Sequence, residues 1–480
     1  GIIEPKGGGG MKRVVRLCEV RLENFKNTVH GTVTIPEAEN HAPFEYASSI
    51  LGIYGQNGSG KTAIVEALAV LKQLLSNESL KDFPIDDYVM YGKESCTIGA
   101  RFSIEQENDQ LYYHYYVDYD VRFVRTADKN GKIQSELLRA EKTEGGKTMR
   151  RTLVDYDVDR DTDCYLPKYR YEAIAKNKDG EIAIGVAQRI AQKEKGSFMF
   201  SGEFQKTVRS VENKGEDFLL GLILDALYGY ASTYLFVITS AHSAMISLNG
   251  AVPMNIRVEN EHKAIVGVIP LMLRGPEVVS VEYYELLTKF LSGLNGVLKE
   301  MIPGLTIGVH NFGAEMDRDG KKGVRIEVVS QRGDSVIPLR YESEGIIKIV
   351  SILHMLICVY ADASMCLVID ELDSGIFEYL LGELLTVMKD NGKGQMLFTS
   401  HNLRPLEMLD KANLVFSTTN PENRYIHMQY VKQNNNLRDM YLRSILLGGQ
   451  KEELYEETDT NQIARAFRRA GKAVLHGKNS

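Results

Sequence analysis

The sequence contains few cysteines, and none of them form the close pairs typical of a zinc site. The five cysteines are Cys18, Cys96, Cys164, Cys358 and Cys366. No C-x-x-C spacing occurs among them, so zinc ligation is not expected, and the pattern favours thiols that stay reduced in the cytoplasm. Cys358 and Cys366 lie in apolar runs, which predicts small buried core residues.

Strong positive charge, internal repeats and long heptad runs are also missing. The formal net charge is −7, which argues against a chain that coats nucleic acid but leaves room for a local basic patch. Without a sustained heptad pattern, no coiled coil is expected. What remains is a chain of 480 residues, 44% of them hydrophobic, which is enough for one large core or two lobes.

One apolar run is long enough to raise the question of a membrane span. It covers residues 218–238 and has Asp225 near its middle and no basic flank. A span of this length is one interpretation. The sequence favours a buried helix followed by a core strand at Tyr234–Ile238, so no membrane association is expected.

The most informative stretch is a glycine-rich loop between an apolar run, residues 49–54, and a helical pattern at about 61–75. The loop reads Gly55-Gln56-Asn57-Gly58-Ser59-Gly60-Lys61-Thr62. This matches G-x-x-x-x-G-K-[ST], the phosphate-binding P-loop, in the strand–loop–helix context that the motif requires. The pattern predicts that backbone amides cradle a polyphosphate, that Lys61 reaches its β- and γ-phosphates, and that Thr62 holds Mg²⁺.

A second apolar strand, Met365–Ile369, ends in two carboxylates, Asp370 and Glu371. In a P-loop protein this is the Walker B pattern. It predicts that Asp370 holds Mg²⁺ through water and that Glu371 orients or deprotonates the attacking water.

Two weaker features flank this strand. Ser343 and Gly345 open a long apolar helix, which predicts either a second phosphate-binding helix end or an ordinary N-cap. His401 follows the next apolar strand, Gln395–Thr399, where a histidine could contact a γ-phosphate.

Together these motifs resemble the ABC/SMC-like ATPases. The P-loop, the Ser343-Glu344-Gly345 signature, Walker B and a switch histidine at His401 occur in that family's order. Residues 22–26 (LENFK) resemble the N-terminal strand turn of RecF, SMC and OLD-like (overcoming lysogenization defect) ATPases, and residues 370–376 (DELDSGI) resemble the OLD-like Walker B to D-loop run. The resemblance covers about 11–142 and 305–430.

The resemblance implies ATP and Mg²⁺ as cofactors and a head-to-tail homo-oligomer, at least a dimer. Ser343 and Gly345 of one copy would close over the γ-phosphate bound by another. Lys348, one turn further into the helix, would either add charge in trans or be solvated. Lys26 is expected to bind the nucleotide together with the P-loop residues. Glu371 and His401 are the expected catalytic residues.

The family pattern is not complete. No Q-loop glutamine stands out in 76–100, coiled-coil arms are missing, and about 50 residues after the last core strand are too few for a Toprim nuclease domain. The distance of 309 residues from Lys61 to Asp370 makes a transporter ATPase improbable.

The expected fold is α/β: a two-lobed P-loop ATPase with an antiparallel meander and a helical α/β insertion. The expected divisions are 1–10, a tag remnant or linker; 11–142, the N-terminal lobe; 143–304, an insertion; 305–433, the C-terminal lobe; and 434–480, a tail. Within and next to the insertion, residues 142–215 are expected to be irregular and residues from about 216 to 302 helical. The tail carries a basic helix with Arg465, Arg468, Arg469 and Lys472, either a solvated face or a docking element for protein or nucleic acid.

Two acidic stretches have a structural interpretation beside a calcium site. They are the alternating aspartates at 155–163 and the run Asp317–Gly320. The first is an acidic loop, a solvated strand face or a calcium site. The second lacks a glutamate at the twelfth position, where Val328 stands, and predicts a hairpin turn.

By resemblance, short ATPases of this type without a nuclease occur in bacterial anti-phage systems (PARIS-like and Septu-like). The first functional expectation is therefore a sensor or scaffold that controls a separately encoded effector, with a phage protein or DNA as trigger. The alternatives are a RecF- or SMC-type DNA-repair ATPase, and a nucleotide-gated structural subunit with negligible turnover.

Overall fold

The structure is a computed structural model. It describes residues 2–3, 12–36, 42–108, 111–127, 131–144, 147–160, 164–176, 178–211, 219–241, 251–260, 263–273, 275–316, 320–428, 436–447, 450–455 and 459–476. Twenty strands and twelve α-helices lie within these ranges.

A six-stranded sheet at the centre of the molecule carries the P-loop. Its strands, in spatial order, are β10 (Leu235–Ile238), β17 (Cys366–Ile369), β18 (Gln395–Thr399), β4 (Ser49–Tyr54), β19 (Leu414–Ser417) and β20 (Tyr425–Ile426). All neighbouring pairs are parallel except β19 with β20. The parallel strands are short apolar runs covered on both faces, as expected for a parallel sheet.

A seven-stranded antiparallel sheet packs beside it. Its strands, in spatial order, are β3 (Thr28–Thr34), β2 (Lys12–Phe25), β5 (Ser95–Asn108), β6 (Leu111–Val124), β7 (Lys132–Glu144), β8 (Lys147–Asp157) and β9 (Tyr165–Leu166). The order from β5 to β9 is a meander, in which each strand pairs with the next along the chain.

Two smaller antiparallel sheets complete the strands. One contains β13 (Glu277–Val279), β15 (Lys322–Arg332) and β14 (Leu305–Met316), with β16 (Ser335–Pro338) paired to β15; the other contains β1 (Ile2–Ile3), β12 (Lys263–Met272) and β11 (Ala251–Asn260). Within the segment expected to be a tag remnant or linker, Ile2 and Ile3 thus pair with Ile265 and Ala264 of β12.

The helices cover the sheets and connect their strands. They are α1 (Lys61–Leu75), α2 (Ile85–Tyr88), α3 (Lys168–Ala175), α4 (Lys178–Glu194), α5 (Gly202–Val211), α6 (Leu220–Thr233), α7 (Val281–Met301), α8 (Glu344–Ala361), α9 (Glu378–Asn391), α10 (Pro405–Met408), α11 (Leu437–Leu447) and α12 (Thr460–His476).

A buried arginine and a buried glutamine join the antiparallel sheet to the central sheet. Arg16 on β2 is 1% exposed and donates to the carbonyls of Ala363 and Lys393, both at 2.9 Å. Gln395 on β18 exchanges two hydrogen bonds with the backbone of Leu17, at 2.7 and 2.8 Å. Because buried polar groups are stable only when they are paired, these contacts fix how the two sheets sit against each other.

The α/β class and the antiparallel meander are confirmed, and β4 and α1 have the predicted limits. The interpretation of 142–215 as irregular is wrong. It contains the strand β8 and the helices α3, α4 and α5, which the polar composition concealed because only one face of each is buried. The helical interpretation of 216–302 also missed the hairpin β11–β12.

The apolar run at 218–238 forms the buried helix α6 and the strand β10, as predicted. β10 pairs in parallel with β17, the Walker B strand. The proposed insertion, 143–304, therefore contributes a strand to the central sheet.

One helix within the described ranges, α8, is long and apolar enough to cross a membrane by length and composition. Most of it is buried against the central sheet, and a buried core helix meets the same criteria.

The structure describes only part of each of the two acidic stretches, 155–163 and 317–320. Asp155 and Asp157 lie on β8, and within the described ranges no group of three or more metal-ligating side chains occurs. Asp161 and Asp163 lie outside the described residues, as do positions 317–319. The strands β14 and β15 that flank 317–319 pair as an antiparallel hairpin, with Met316 opposite Lys322.

Candidate nucleotide site

The P-loop follows β4, a strand whose residues are all buried. Gly55, Gly58 and Gly60 have φ values of 152°, 79° and 97°, a region that favours glycine. Gly60 is the N-cap of α1 and has no side chain that could occupy the first amides. The helix N-terminus is therefore open to an anion, with its dipole oriented favourably.

Lys61 is held within the loop. Its Nζ donates to the carbonyls of Gly55 at 2.8 Å and Gln56 at 3.0 Å. Burial lowers the pKa of Lys61, and the carboxylates of Asp370 and Glu371 oppose that shift. A phosphate in the loop would replace two neutral acceptors by a charged one, which is the stronger partner for an ammonium group.

Asp370 lies at the carboxyl end of β17, directly beside the P-loop. It is 1% exposed, and its backbone N–H donates to the carbonyl of Ile238 on β10 at 2.9 Å. Oδ1 accepts from Thr399 Oγ1 at 2.6 Å and from Thr62 Oγ1 at 3.4 Å. The two predicted metal-binding residues, Thr62 and Asp370, are thus brought together.

A buried oxygen supports a Mg²⁺ site here. Oδ2 of Asp370 is buried and has no hydrogen-bond partner among the described residues. An unpartnered buried carboxylate oxygen is costly unless a cation or an ordered water satisfies it. Carboxylate and hydroxyl oxygens suit Mg²⁺, which commonly takes one or two protein ligands and completes its shell with phosphate and water. Thr62 and Asp370 fit that pattern.

Glu371 turns away from the strand and is exposed at the cavity. Its φ is 51°, a left-handed conformation that is uncommon for glutamate. Its N–H donates to Thr399 Oγ1 at 2.8 Å, so one hydroxyl fixes both Walker B residues. The arrangement presents a carboxylate to the same cavity as the P-loop.

These groups line a cavity of about 650 Å³. Of the predicted residues it includes Lys26, Asn57, Gly58, Gly60, Lys61, Thr62, Asp370, Glu371 and His401. His401 is exposed, and its N–H donates to Asp373 Oδ2 at 3.1 Å. Distant parts of the chain therefore converge on one site.

Two of the predicted P-loop residues do not line it. Gly55 lies behind the loop, against Ser417. Ser59 is 5% exposed, and its hydroxyl bonds the Gln56 carbonyl at 2.6 Å and the hydroxyl of Ser417. The Ser59 side chain stabilises the loop against β19.

Lys26 forms a salt bridge with Glu66 of α1, and its N–H donates to the carbonyl of Tyr88 at 2.7 Å. Its φ of 54° places it in a tight turn. The next residue, Asn27, donates to the carbonyl of Gly58. The turn between β2 and β3 thus forms one wall of the cavity.

Sequence reasoning missed several lining residues. They are Asn27, Ala63, Asp87, Val89, Tyr91, Arg125 and Thr399. Asp87, Val89 and Tyr91 lie in the segment where no Q-loop glutamine was found. The segment is positioned by a backbone bond from the Met90 N–H to the Asn24 carbonyl and by the Arg125 guanidinium, which donates to the Val89 carbonyl. Neither contact leaves a motif in the sequence.

Ser343 and Gly345 lie outside the cavity of their own chain. Ser343 is exposed and caps α8, accepting from the N–H of Ile346 at 3.4 Å. Gly345 packs on the backbone of Gly375, just after Walker B. Tyr341 and Phe377 nearby are each 68% exposed. This helix end is available to a second molecule.

Lys348 requires a correction. It is 5% exposed, so the solvated interpretation is wrong, whereas a role in trans stays a prediction. Its ammonium group donates to the carbonyl of Glu371 in the same chain. Burial lowers the pKa of Lys348, and Asp373, Glu371 and Asp370 oppose the shift. It is a residue that connects α8 to the Walker B turn.

No protein-family model matches the sequence, and no curated protein matches it. Solved structures do. An Smc head domain with a coiled coil and joint from Pyrococcus yayanosii has a TM-score of 0.41 and 11% identity, over 90% of this chain and 99% of that one.

An SMC head domain from Thermotoga maritima has a TM-score of 0.34 and 13% identity, over 86% and 99% of the two chains. The recombination mediator RecF bound to ATP has a TM-score of 0.31 and 13% identity, over 81% and 94%. Since these TM-scores lie below 0.5, nothing about the activity of this chain follows from them.

Proposed function

We propose that this chain is an ABC/SMC-like ATP hydrolase whose catalytic sites form between two copies in a head-to-tail dimer. The observation that supports it best is that the expected site residues lie in two separate places on one chain. Lys61, Asp370 and Glu371 meet at one cavity, whereas Ser343 is exposed outside it on a capped helix end.

In this proposal the P-loop amides and Lys61 bind the phosphates, and Thr62 with Asp370 holds Mg²⁺, which neutralises charge on the phosphates. Glu371 orients and deprotonates the attacking water, and His401 contacts the γ-phosphate. The N-terminus of α8 from the second copy, with Ser343, closes over the nucleotide. ATP favours the closed dimer by its differential affinity for that state.

Pairs of inactive variants test this composite site. Lys61→Ala removes phosphate binding, and Ser343→Arg blocks the closing surface. Neither should hydrolyse ATP alone. Mixed together, they should recover part of the phosphate release, because one of the two sites in a mixed dimer has an intact P-loop and an intact Ser343.

The matched control mixes Lys61→Ala with Glu371→Gln. These residues act in the same chain, so both sites of a mixed dimer stay defective and no recovery is expected. Equal recovery in both mixtures, or none in either while the variants still bind each other, would refute the composite site.

Glu371→Gln alone should bind ATP but release no phosphate, and with ATP its mass in solution should double. Normal turnover in this variant would remove Glu371 from the catalytic role. Persistent binding with negligible turnover in the wild type would instead favour a nucleotide-gated structural subunit.

The biological role that we infer is a cytoplasmic sensor or scaffold that holds and releases a separately encoded effector, such as a nuclease or toxin, in anti-phage defence. The motif resemblance supports it, and the exposed tail helix offers a docking element. Co-expression of wild type and Glu371→Gln with candidate effectors tests it: the ATP-closed form should retain the effector and a phage protein or DNA should free it.

The alternative is a RecF- or SMC-type repair ATPase that binds DNA directly, for which the exposed arginines of α12 are the relevant feature. Salt-sensitive DNA binding that ATP strengthens would favour this role. Absence of binding at low salt would exclude it.

A further inference from the structure

Lys348 is a charged residue in the core of the chain that the proposed composite site does not use. It lies on α8 and is 5% exposed. Its ammonium group donates to the backbone carbonyl of Glu371. Buried charges contribute little to stability compared with apolar side chains of similar volume. A lysine at this buried position therefore indicates a role beyond the stability of the core.

The carbonyl that Lys348 binds belongs to a residue with an uncommon backbone conformation. Glu371 has a φ of 51°, which costs free energy in a residue other than glycine and persists only where neighbouring contacts enforce it. The Glu371 N–H donates to Thr399 Oγ1 at 2.8 Å, and the Glu371 carbonyl accepts from the N–H of Ser374 at 3.1 Å. Lys348 supplies the third contact.

These contacts hold the two ends of the same residue. Thr399, on β18, holds the amide of Glu371, whereas Lys348, on α8, holds its carbonyl. The side chain of Glu371 lines the cavity that contains the P-loop. Since the backbone of a residue determines where its side chain begins, contacts that fix this backbone also fix where the carboxylate lies.

The charge of Lys348 suits this place. Burial lowers the pKa of Lys348, and the carboxylates of Asp373, Glu371 and Asp370 oppose that shift. All three carboxylates belong to the end of the Walker B strand or to the turn that follows it. They attract the ammonium group to this turn, and a charged donor forms a stronger hydrogen bond to a carbonyl than a neutral one does.

We propose that Lys348 is a positioning residue that holds the backbone of Glu371 so that its carboxylate faces the attacking water. The inference rests on the proposed function, in which Glu371 is the catalytic carboxylate. In this role Lys348 acts within its own chain. The geometry of Glu371 then depends on α8, the helix that begins at the signature serine, Ser343.

Kinetics of Lys348→Met test this role. Displacement of the catalytic carboxylate should lower kcat about 10- to 100-fold. The dissociation constant for ATP should stay unchanged, because Lys348 contacts no part of the P-loop. Lys348→Arg, which keeps a charged donor, should lie closer to wild type. Lys348→Gln takes the place of Lys348→Met if the latter does not fold, since it also removes the charge.

Lys72→Met is the matched control. Lys72 is a partly buried lysine of α1, and its ammonium group lies 5.0 Å from the ring centre of Phe236, away from the Walker B turn. Its substitution removes a lysine from the core without touching Glu371. We expect kcat to remain at the wild-type value.

Hydrogen exchange measures the turn itself, without nucleotide and without hydrolysis. The N–H of Ser374 is held by the carbonyl of Glu371 at 3.1 Å, and the N–H of Leu372 by the carbonyl of Thr399 at 3.0 Å. In Lys348→Met, a peptide that covers residues 370–376 should exchange about tenfold faster. The same peptide in Lys72→Met should exchange as in the wild type.

The two measurements together decide the proposal. Faster exchange with a lower kcat and unchanged ATP binding supports it. Unchanged exchange overturns it, and so does faster exchange with a wild-type kcat, since Lys348 would then stabilise the turn without positioning the carboxylate. Normal turnover of Glu371→Gln is a separate result: it refutes the catalytic assignment of Glu371, and the exchange rate alone then decides whether Lys348 holds the turn.

Discussion

Gly345, which opens α8, and Gly375, which follows Walker B, pack backbone against backbone. A β-carbon on Gly345 would lie 1.9 Å from the carbonyl oxygen of Gly375. The first turn of α8 and the turn after Walker B are therefore in direct backbone contact, with no room for a side chain between them.

Gly345→Ala should separate these two segments. The clash involves backbone, which cannot rotate away, so we expect a loss of about 1–3 kcal/mol in the free energy of unfolding and a fall in ATP hydrolysis. Gly296→Ala in α7 is the matched control, because nothing lies within 4 Å of its added carbon. It should gain up to about 1 kcal/mol. Equal behaviour of both variants in urea unfolding would contradict the packing argument.

Thr399→Val should impair catalysis without unfolding the chain. The Thr399 hydroxyl donates to Asp370 and accepts from Glu371, and loss of such a supporting group typically costs about 10- to 100-fold in metal affinity or activity. We expect a higher Mg²⁺ requirement and a lower kcat. Thr399→Ser, which keeps the hydroxyl, should remain close to wild type. If the two variants are equally active, Thr399 has no positioning role.

Arg16→Met should weaken the attachment of the antiparallel sheet. The substitution leaves the carbonyls of Ala363 and Lys393 buried without a donor, at a cost of about 2–5 kcal/mol. Arg122→Met, at an exposed arginine on β6 bonded to Ser95, should change stability by less than about 0.5 kcal/mol. Chemical denaturation measures the free energy of unfolding of both variants. If Arg16→Met loses no more of it than Arg122→Met, the contacts of Arg16 are not needed for stability.

Glu136 should make stability depend on pH. Burial raises the pKa of this β7 carboxyl, opposed by hydrogen bonds from Ser197 and Tyr119. Because the folded chain then binds a proton more tightly than the unfolded chain, this stabilising contribution is complete below 4.5 and is lost as the pH rises through the folded-state pKa.

Glu136→Gln removes that titration. The stability difference between wild type and this variant should therefore shrink as the pH rises above 4.5, when both are unfolded in urea at each pH. Glu107→Gln, at an exposed position, should show no such trend. A difference that widens with pH would mean that the hydrogen bonds outweigh burial and hold the carboxylate ionised.

The parts of the site that could be predicted from sequence are those encoded by contiguous residues. The P-loop and Walker B each combine an apolar strand with a fixed set of polar residues, so their elements and chemistry follow from local pattern. Thr399 carries no such mark: its role depends on β18 lying beside β17.

The elements of the fold that were missed also depend on packing that the local sequence does not encode. β8 and the helices α3 to α5 bury only one face, so their polar composition resembled loops. The solvated interpretation of Lys348 failed because its position one turn into a helix says nothing about which side faces the Walker B turn.

The place of β4 in the central sheet has a consequence for the synthesis of the chain. β4 carries the P-loop, yet its two neighbours are β18 and β19, near the other end of the sequence. On the ribosome, the phosphate-binding loop emerges long before these two strands, so β4 cannot form its sheet pairings until they have been translated. Pairings this distant in sequence form slowly and leave apolar strand edges open in the meantime. We therefore expect chaperones to bind the nascent chain and protect these strand edges until β19 has emerged.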